Sequence, residues 1–349
     1  MPDKEVHYSD YLQLDKILHS QLPESDKKGD PAHDEMLFII IHQTYELWFK
    51  QLLHELDSVI AIMKKPSVND NSPELQTVVH RLSRVVSILK VLVHQIDVME
   101  TMTAMDFLEF RDLLRPASGF QSWQFKLVEA RLGLKYQHRF GQQYYISQLR
   151  QEQIDLIKKA EQEQSLLELL NTWLERMPFF GETENWANYR ALTKIADYPG
   201  GVFWSDYREV YIKGLANAEQ NNREYFDAVF NDMPINSDRH LSAAASRSAL
   251  FIMLYRGYPM LQLPFQLLNS LLEVDEQLST WRYRHMNMVH RTIGSRIGTG
   301  GSTGKEYLKG ALDKHYIFAE IARLTSFLIE RKKLPQLSKE MERRLGFMV

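Results

Sequence analysis

The sequence predicts an all-α protein: a single helical-bundle domain, residues 33–349, preceded by an N-terminal arm, residues 1–32. Two observations carry that expectation. Apolar residues recur at steps of three and four over most of the chain, the period of one helical face. No alternating run of β-branched residues is long enough to make a strand.

The elements follow in order. Residues 34–63 read as one long helix with Phe38, Ile41, Tyr45, Trp48, Leu52, Leu56 and Val59 on its apolar face. Ser72-Pro73 reads as an N-cap followed by proline in the first turn, where a missing N–H costs nothing. The helix it opens runs to about Met102 through Leu75, Val78, Leu82, Val85, Leu89, Leu92 and Ile96. A short helix over 105–114 stops at Arg115-Pro116. Further helices are expected over about 118–133, 143–177, 205–231 and 239–256. After Pro259 and Pro264 another runs through Leu271 to about Ile293, and a last one covers about 305–331. Residues 294–304 hold five of the 16 glycines. The stretch 178–238 reads as a variable helical and loop segment, with loops at 179–204 and 232–238.

Composition narrows the function. Among 349 residues, 42 Lys and Arg face 45 Asp and Glu, so no global basic surface exists for nucleic acid or an anionic membrane. The absence of cysteine removes disulfides, thiolate metal sites and thiol nucleophiles. The N-terminus has no signal-type apolar region, and no apolar run approaches the ~18 residues of a membrane span. A soluble, cytoplasmic protein is the expectation.

In a helix bundle the informative residues are polar ones on buried faces. His42 shares a face with Phe38, Ile41 and Tyr45. Arg111 lies in the stripe Phe107, Phe110, Leu114, and a buried guanidinium must find an anion. His285 continues the seam Leu271, Val274, Leu278, Trp281 and ends it with Met288, whereas His290 misses that register. A hydrogen-bonded core histidine and a structural ion pair are the plain alternatives for these groups. Metal motifs fail: no histidine has Glu three residues before it, as a di-iron bundle needs. His54-Glu55 begins a zincin pattern, but Ser58 stands at the second histidine position. A haem remains open, since one imidazole suffices as its axial ligand. The glycine-rich segment fails as a P-loop, because Thr299 and Glu306 occupy positions that need Gly and Ser/Thr. Its backbone could still approach an anionic ligand closely, or serve as a plain connector.

Several of these stretches resemble one family. HDEMLFIIIHQTYELWFK from His33 to Lys50 is similar to the signature of tryptophan 2,3-dioxygenases. So are FRDLLRPASGFQSWQF from Phe110 to Phe125, WRYRH from Trp281 to His285, MVHR from Met288, and GTGGS from Gly298. YSDYLQL from Tyr8 resembles the family's N-terminal segment. The likeness covers about 8–177 and 239–333, and 178–238 falls where members vary.

The resemblance implies a homotetramer of helical subunits, each with one haem b that is ferrous when active. It implies cleavage of the indole C2–C3 bond of L-tryptophan by O2, giving N-formyl-L-kynurenine, the first step of the kynurenine pathway. It makes His285 the axial iron ligand and His42 the distal histidine that contacts the indole N–H. Arg111 would pair with the substrate carboxylate, Phe38 and Phe107 would wall the ring pocket, and Ser118 and Gly119 would line the pocket beside the haem. Thr299 would hold the amino-acid end of the substrate, and Tyr8, Tyr11 and Leu12 would reach into a neighbour's site. Some relatives carry Tyr where Phe107 stands, which leaves a tyrosine hydroxyl out of the mechanism here. Physical chemistry agrees with these roles: the guanidinium fork suits a carboxylate, and aromatic walls suit an indole. Imidazole is too weak a base to ionise indole, so His42 serves as a hydrogen-bond partner. No dinucleotide fingerprint is present, in keeping with a reaction that puts both oxygen atoms into the product. The alternatives are a haem-dependent aromatic hydroxylase of the same superfamily and a non-catalytic haem-binding helical protein.

Overall fold

The structure, a computed structural model, describes residues 5–177, 183–186, 188–193, 195, 198–231, 239–294, 296 and 305–346, without the side chains of 143–145, 183 and 305–306. Among these residues every regular element is helical and no strand occurs.

The arm forms three single-turn pieces, α1 (Tyr8–Leu12), α2 (Leu14–Leu18) and α3 (Glu24–Lys28). The body opens with α4 (His33–Met63) and α5 (Pro73–Met99). Ser72 caps α5 as its sequence implies, its Oγ accepting from the Leu75 N–H at 3.2 Å. α6 (Ala104–Phe110) starts with a reciprocal cap between Thr103 and Asp106, and its last turn tightens into a 3₁₀ turn, Arg111–Leu114. Then come α7 (Trp123–Leu132), α8 (Gln142–Ser147), α9 (Gln151–Gln162) and α10 (Leu166–Glu175). α11 (Val202–Gly214), α12 (Asn222–Phe230) and α13 (Ala243–Leu254) follow, then the longest helix, α14 (Gln262–Ile293). α15 (Lys305–Lys314), α16 (Ala319–Arg323) and α17 (Lys339–Leu345) close the chain.

Four expected helices are divided. The 118–133 stretch becomes a 3₁₀ turn, Gly119–Gln121, and α7, because Ser118 and Ser122 each cap a new start. The 143–177 stretch is three helices. Ser165 and Glu168 form a capping box that begins α10 and thereby ends any continuation of α9. The 305–331 stretch breaks after Lys314, where the Asp275 carboxylate captures the Ile317 and Phe318 N–H groups. The 205–231 stretch is likewise broken, between α11 and α12.

The long helices make the frame. α14 packs along α5, and α4 lies against both α5 and α7. Leu52, Leu56, Val59, Leu75, Val78, Leu82, Leu271, Val274 and Leu278 interlock in one continuous core. A smaller cluster at the other end of α4 joins Ile41, Met99, Met102, Phe107 and Phe110, with Phe38 and Met288 packed against it. No helix among the described residues is long and apolar enough to cross a membrane.

Candidate functional site

The smaller cluster is where α4, α6 and α14 present polar groups among rings. On α4, Phe38 and His42 are one turn apart, with ring centroids 4.1 Å apart. Phe38 also stacks on Phe107 at 5.6 Å, and Phe107 meets Phe110 edge-on at 5.4 Å. The chain thus builds an aromatic wall from two elements, as the spacing along α4 and α6 implies.

His42 is oriented by its own helix. Its Nδ1 lies 2.7 Å from the Phe38 carbonyl oxygen, which can only accept, so Nδ1 carries the proton. Nε2 then holds the lone pair and is an acceptor for an N–H donor. Burial pushes this imidazole below its ordinary range, against the opposing pulls of the Phe38 carbonyl and Glu46, so it is neutral at pH 7.

His285 stands on α14, four residues after Trp281, whose ring stacks on the imidazole at 5.0 Å and 5° between planes. Burial first, and the His42 ring second, hold its pKa down to about 4. His42 and Met288, one turn beyond His285 on α14, both lie at the smaller cluster: Phe38, which packs against it with Met288, also contacts the His42 ring. The seam itself opens here: Leu271, Val274 and Leu278 are buried, while Trp281, His285 and Met288 are only partly so. His290 is exposed, as its register implies.

Arg111 is 5% exposed, on the 3₁₀ turn that ends α6. Its Nη1 lies 3.6 Å from the Asp112 carboxylate, too long for a hydrogen bond, and Asp112 is itself 77% exposed. Arm helix α3 packs beside the same turn. It is anchored by Glu35, whose carboxylate accepts from the Glu24 and Ser25 N–H groups at 2.8 and 2.9 Å.

Ser118 and Gly119 open the 3₁₀ turn Gly119–Gln121. Ser118 Oγ accepts from the Phe120 N–H at 3.3 Å, and a Cβ built on Gly119 would meet no atom within 4 Å. Tyr8, Tyr11 and Leu12 are not brought to this site within one chain: they are 70%, 76% and 37% exposed on α1. Thr299 and the segment 297–304 lie outside the described residues.

The donor chemistry suits a haem. His285 supplies a neutral imidazole whose Nδ1 is buried with no hydrogen-bond partner among the described residues. A histidine kept only for packing would ordinarily have both needs met. Among the described residues no group of three or more His, Asp or Glu side chains gathers as a metal cage.

A family model for tryptophan 2,3-dioxygenase matches residues 3–328. The chain belongs to the tryptophan 2,3-dioxygenase family. It is 44% identical to the tryptophan 2,3-dioxygenase of Bdellovibrio bacteriovorus over 355 residues, covering 98% of each chain. Against the Alteromonas mediterranea enzyme of that name, identity is 46% over 358 residues, or 98% of this chain and 97% of the relative. The Xenopus laevis enzyme is 43% identical over 348 residues, 95% of this chain and 84% of its own. The family match runs through 178–238, the stretch that resembled nothing on sequence reading.

Sequence reasoning missed part of the surroundings. The Trp281–His285 stack was legible as an i, i+4 pair. The buried charge cluster around Glu129 had no sequence signal, because its members come from four separate segments.

Proposed function

We propose that this chain cleaves the indole C2–C3 bond of L-tryptophan with O2 to give N-formyl-L-kynurenine. The observation that carries the reading is the aromatic wall of Phe38, Phe107 and Phe110, with His42 against it on α4, Arg111 buried on the adjoining turn and a neutral His285 on α14. Full-length similarity to tryptophan 2,3-dioxygenases supports it.

His285 would hold haem b through its imidazole; the haem, ferrous when active, would supply the iron chemistry that activates O2. The remaining work belongs to the chain. Phe38 and Phe107 offer flat apolar faces to the indole and exclude water. His42 Nε2 accepts a hydrogen bond from the indole N–H and leaves that proton in place. The Arg111 fork takes the substrate carboxylate, which fixes the direction in which the ring enters. Ser118 and Gly119 line the pocket beside the haem, and the resemblance assigns Thr299 to the amino-acid end of the substrate. Both oxygen atoms enter the product, so no reductase or NAD(P)H is consumed.

Tyr8, Tyr11 and Leu12 present an apolar surface on a helix too short to bury it. That supports docking of the α1 end of the arm on a neighbouring subunit of a homotetramer, where the three side chains complete that subunit's site, while α3 stays on its own body through Glu35. Haem-loaded, reduced protein supplied with L-tryptophan and O2 alone is expected to release N-formyl-L-kynurenine. A product that keeps an intact indole would contradict the reading and favour the hydroxylase.

A further inference from the structure

Behind the site lies a buried charge cluster that the proposed chemistry does not use. Glu129, on α7, is fully enclosed and is shared by two guanidinium groups. Arg282 Nη2 donates to its Oε1 at 2.6 Å, and Arg139 Nη1 donates to its Oε2. Burial alone would raise this carboxyl, but Arg139, Arg282 and His315 outweigh it and hold its pKa near 2. Each cation also binds backbone from another element. Arg282 Nη1 donates to the His315 carbonyl at 3.0 Å, just past α15, and Arg139 Nη2 donates to the Lys126 carbonyl at 3.2 Å. The Phe140 N–H donates to His315 Nε2 at 3.0 Å.

The cluster reaches the pocket wall by two routes. Lys126, one turn before Glu129, donates through Nζ to the Phe120 carbonyl at 2.5 Å, inside the 3₁₀ turn that Ser118 caps. The Phe120 ring meets Tyr307 of α15 edge-on at 5.4 Å. α15 in turn is seated so closely that a Cβ on Gly310 would lie 2.4 Å from the Phe140 ring. Arg282 itself is three residues before His285 on α14.

We propose that Arg282 and Glu129 are positioning residues: they lock the Ser118–Gly119 turn and α15 in register with the helix that carries His285, and so set the fit of the substrate pocket. The inference rests on the proposed function. A guanidinium is required because Arg282 must bridge a carboxylate and a carbonyl on different elements at once; an ammonium keeps the charge but not that fork. Networks of this kind shift ligand binding elsewhere in a protein by about 0.5–2 kcal/mol, or roughly 2- to 30-fold.

The test uses the full-length, haem-loaded protein and two variants. Arg282→Lys removes the bridge from the cluster side. Gly310→Ala displaces Phe140 from the α15 side while favouring the helix. Each is measured for KM and kcat with L-tryptophan, and for cyanide affinity of the ferric haem. The expected result is a KM raised roughly 2- to 30-fold, with kcat and cyanide affinity staying near parental values. Parental KM in the folded variants would overturn the proposal. So would a loss of cyanide affinity in step with tryptophan, which would mark general loosening of the haem pocket. If Arg282→Lys does not fold, Gly310→Ala decides alone. Absence of tryptophan turnover in the parent would overturn the proposed function, and this inference with it.

Discussion

Replacing Arg111 with alanine tests the substrate side of the site most sharply. Arg111 is almost fully buried, yet the carboxylate beside it, Asp112, lies 3.6 Å away and faces solvent. The proposed partner of this guanidinium is the substrate carboxylate, and a charge-assisted pair of that kind contributes about 1.5–3 kcal/mol. That corresponds to a fall of about 10- to 150-fold in kcat/KM for L-tryptophan. Haem content should stay at the parental level, because Arg111 sits on the turn after α6 and His285 on α14. The assay compares L-tryptophan with tryptamine, which keeps the indole and lacks the carboxylate. Arg111→Ala should penalise L-tryptophan and leave the weaker tryptamine reaction nearly unchanged. Arg111→Lys should recover only part of the loss, since the ammonium has no planar fork. Equal losses on both substrates would show that Arg111 supports structure and would refute the carboxylate assignment.

Three further outcomes follow from the same geometry. His285→Ala should strip or severely weaken haem and abolish activity, with partial spectral recovery on adding imidazole, while His290→Ala should keep a parental haem spectrum; the reverse pattern would overturn the register of α14. Removing residues 1–14 should raise the KM for L-tryptophan more than it lowers the melting temperature, and unchanged kinetics with an unchanged oligomer would refute the docking of the arm. Acid should destabilise the haem-free protein. His285 and His315 have folded pKa values near 4 and His42 is also lowered, all below the ordinary 6.5. The unfolded chain therefore binds protons first as pH falls, and stability is lost between pH 6.5 and about 4, by up to about 1.4 kcal/mol per pH unit for each of His285 and His315, with His42 adding in the same direction. Denaturant midpoints independent of pH over that window would contradict the burial of these rings.

Local chemistry made the frame legible. The Ser72-Pro73 start, the unbroken apolar stripe of α4 and the seam of α14 each state their element in side chains a few residues apart. The same stripes exposed His42, Arg111 and His285 as misfits, and the structure brings all three to one end of the bundle. The breaks were harder. The Ser165–Glu168 box was there to be read, but the apolar period continued across it and masked it. The break after Lys314 could not be read locally, since the Asp275 carboxylate that captures the Ile317 and Phe318 N–H groups lies about forty residues earlier in the chain. Glu129 shows the same limit at the site. Its partners Arg139, Arg282 and His315 converge only once α7, α14 and the end of α15 are packed.

The proposed reaction inserts both atoms of one O2 into the indole of L-tryptophan in the pocket these residues assemble. Mass spectrometry of the product formed under ¹⁸O2 tests it most directly. Haem-loaded protein, reduced once and given no further electron donor, should yield N-formylkynurenine carrying two labelled oxygen atoms. A product with a single labelled oxygen and a closed indole ring, formed only while reductant or peroxide is supplied, would contradict it.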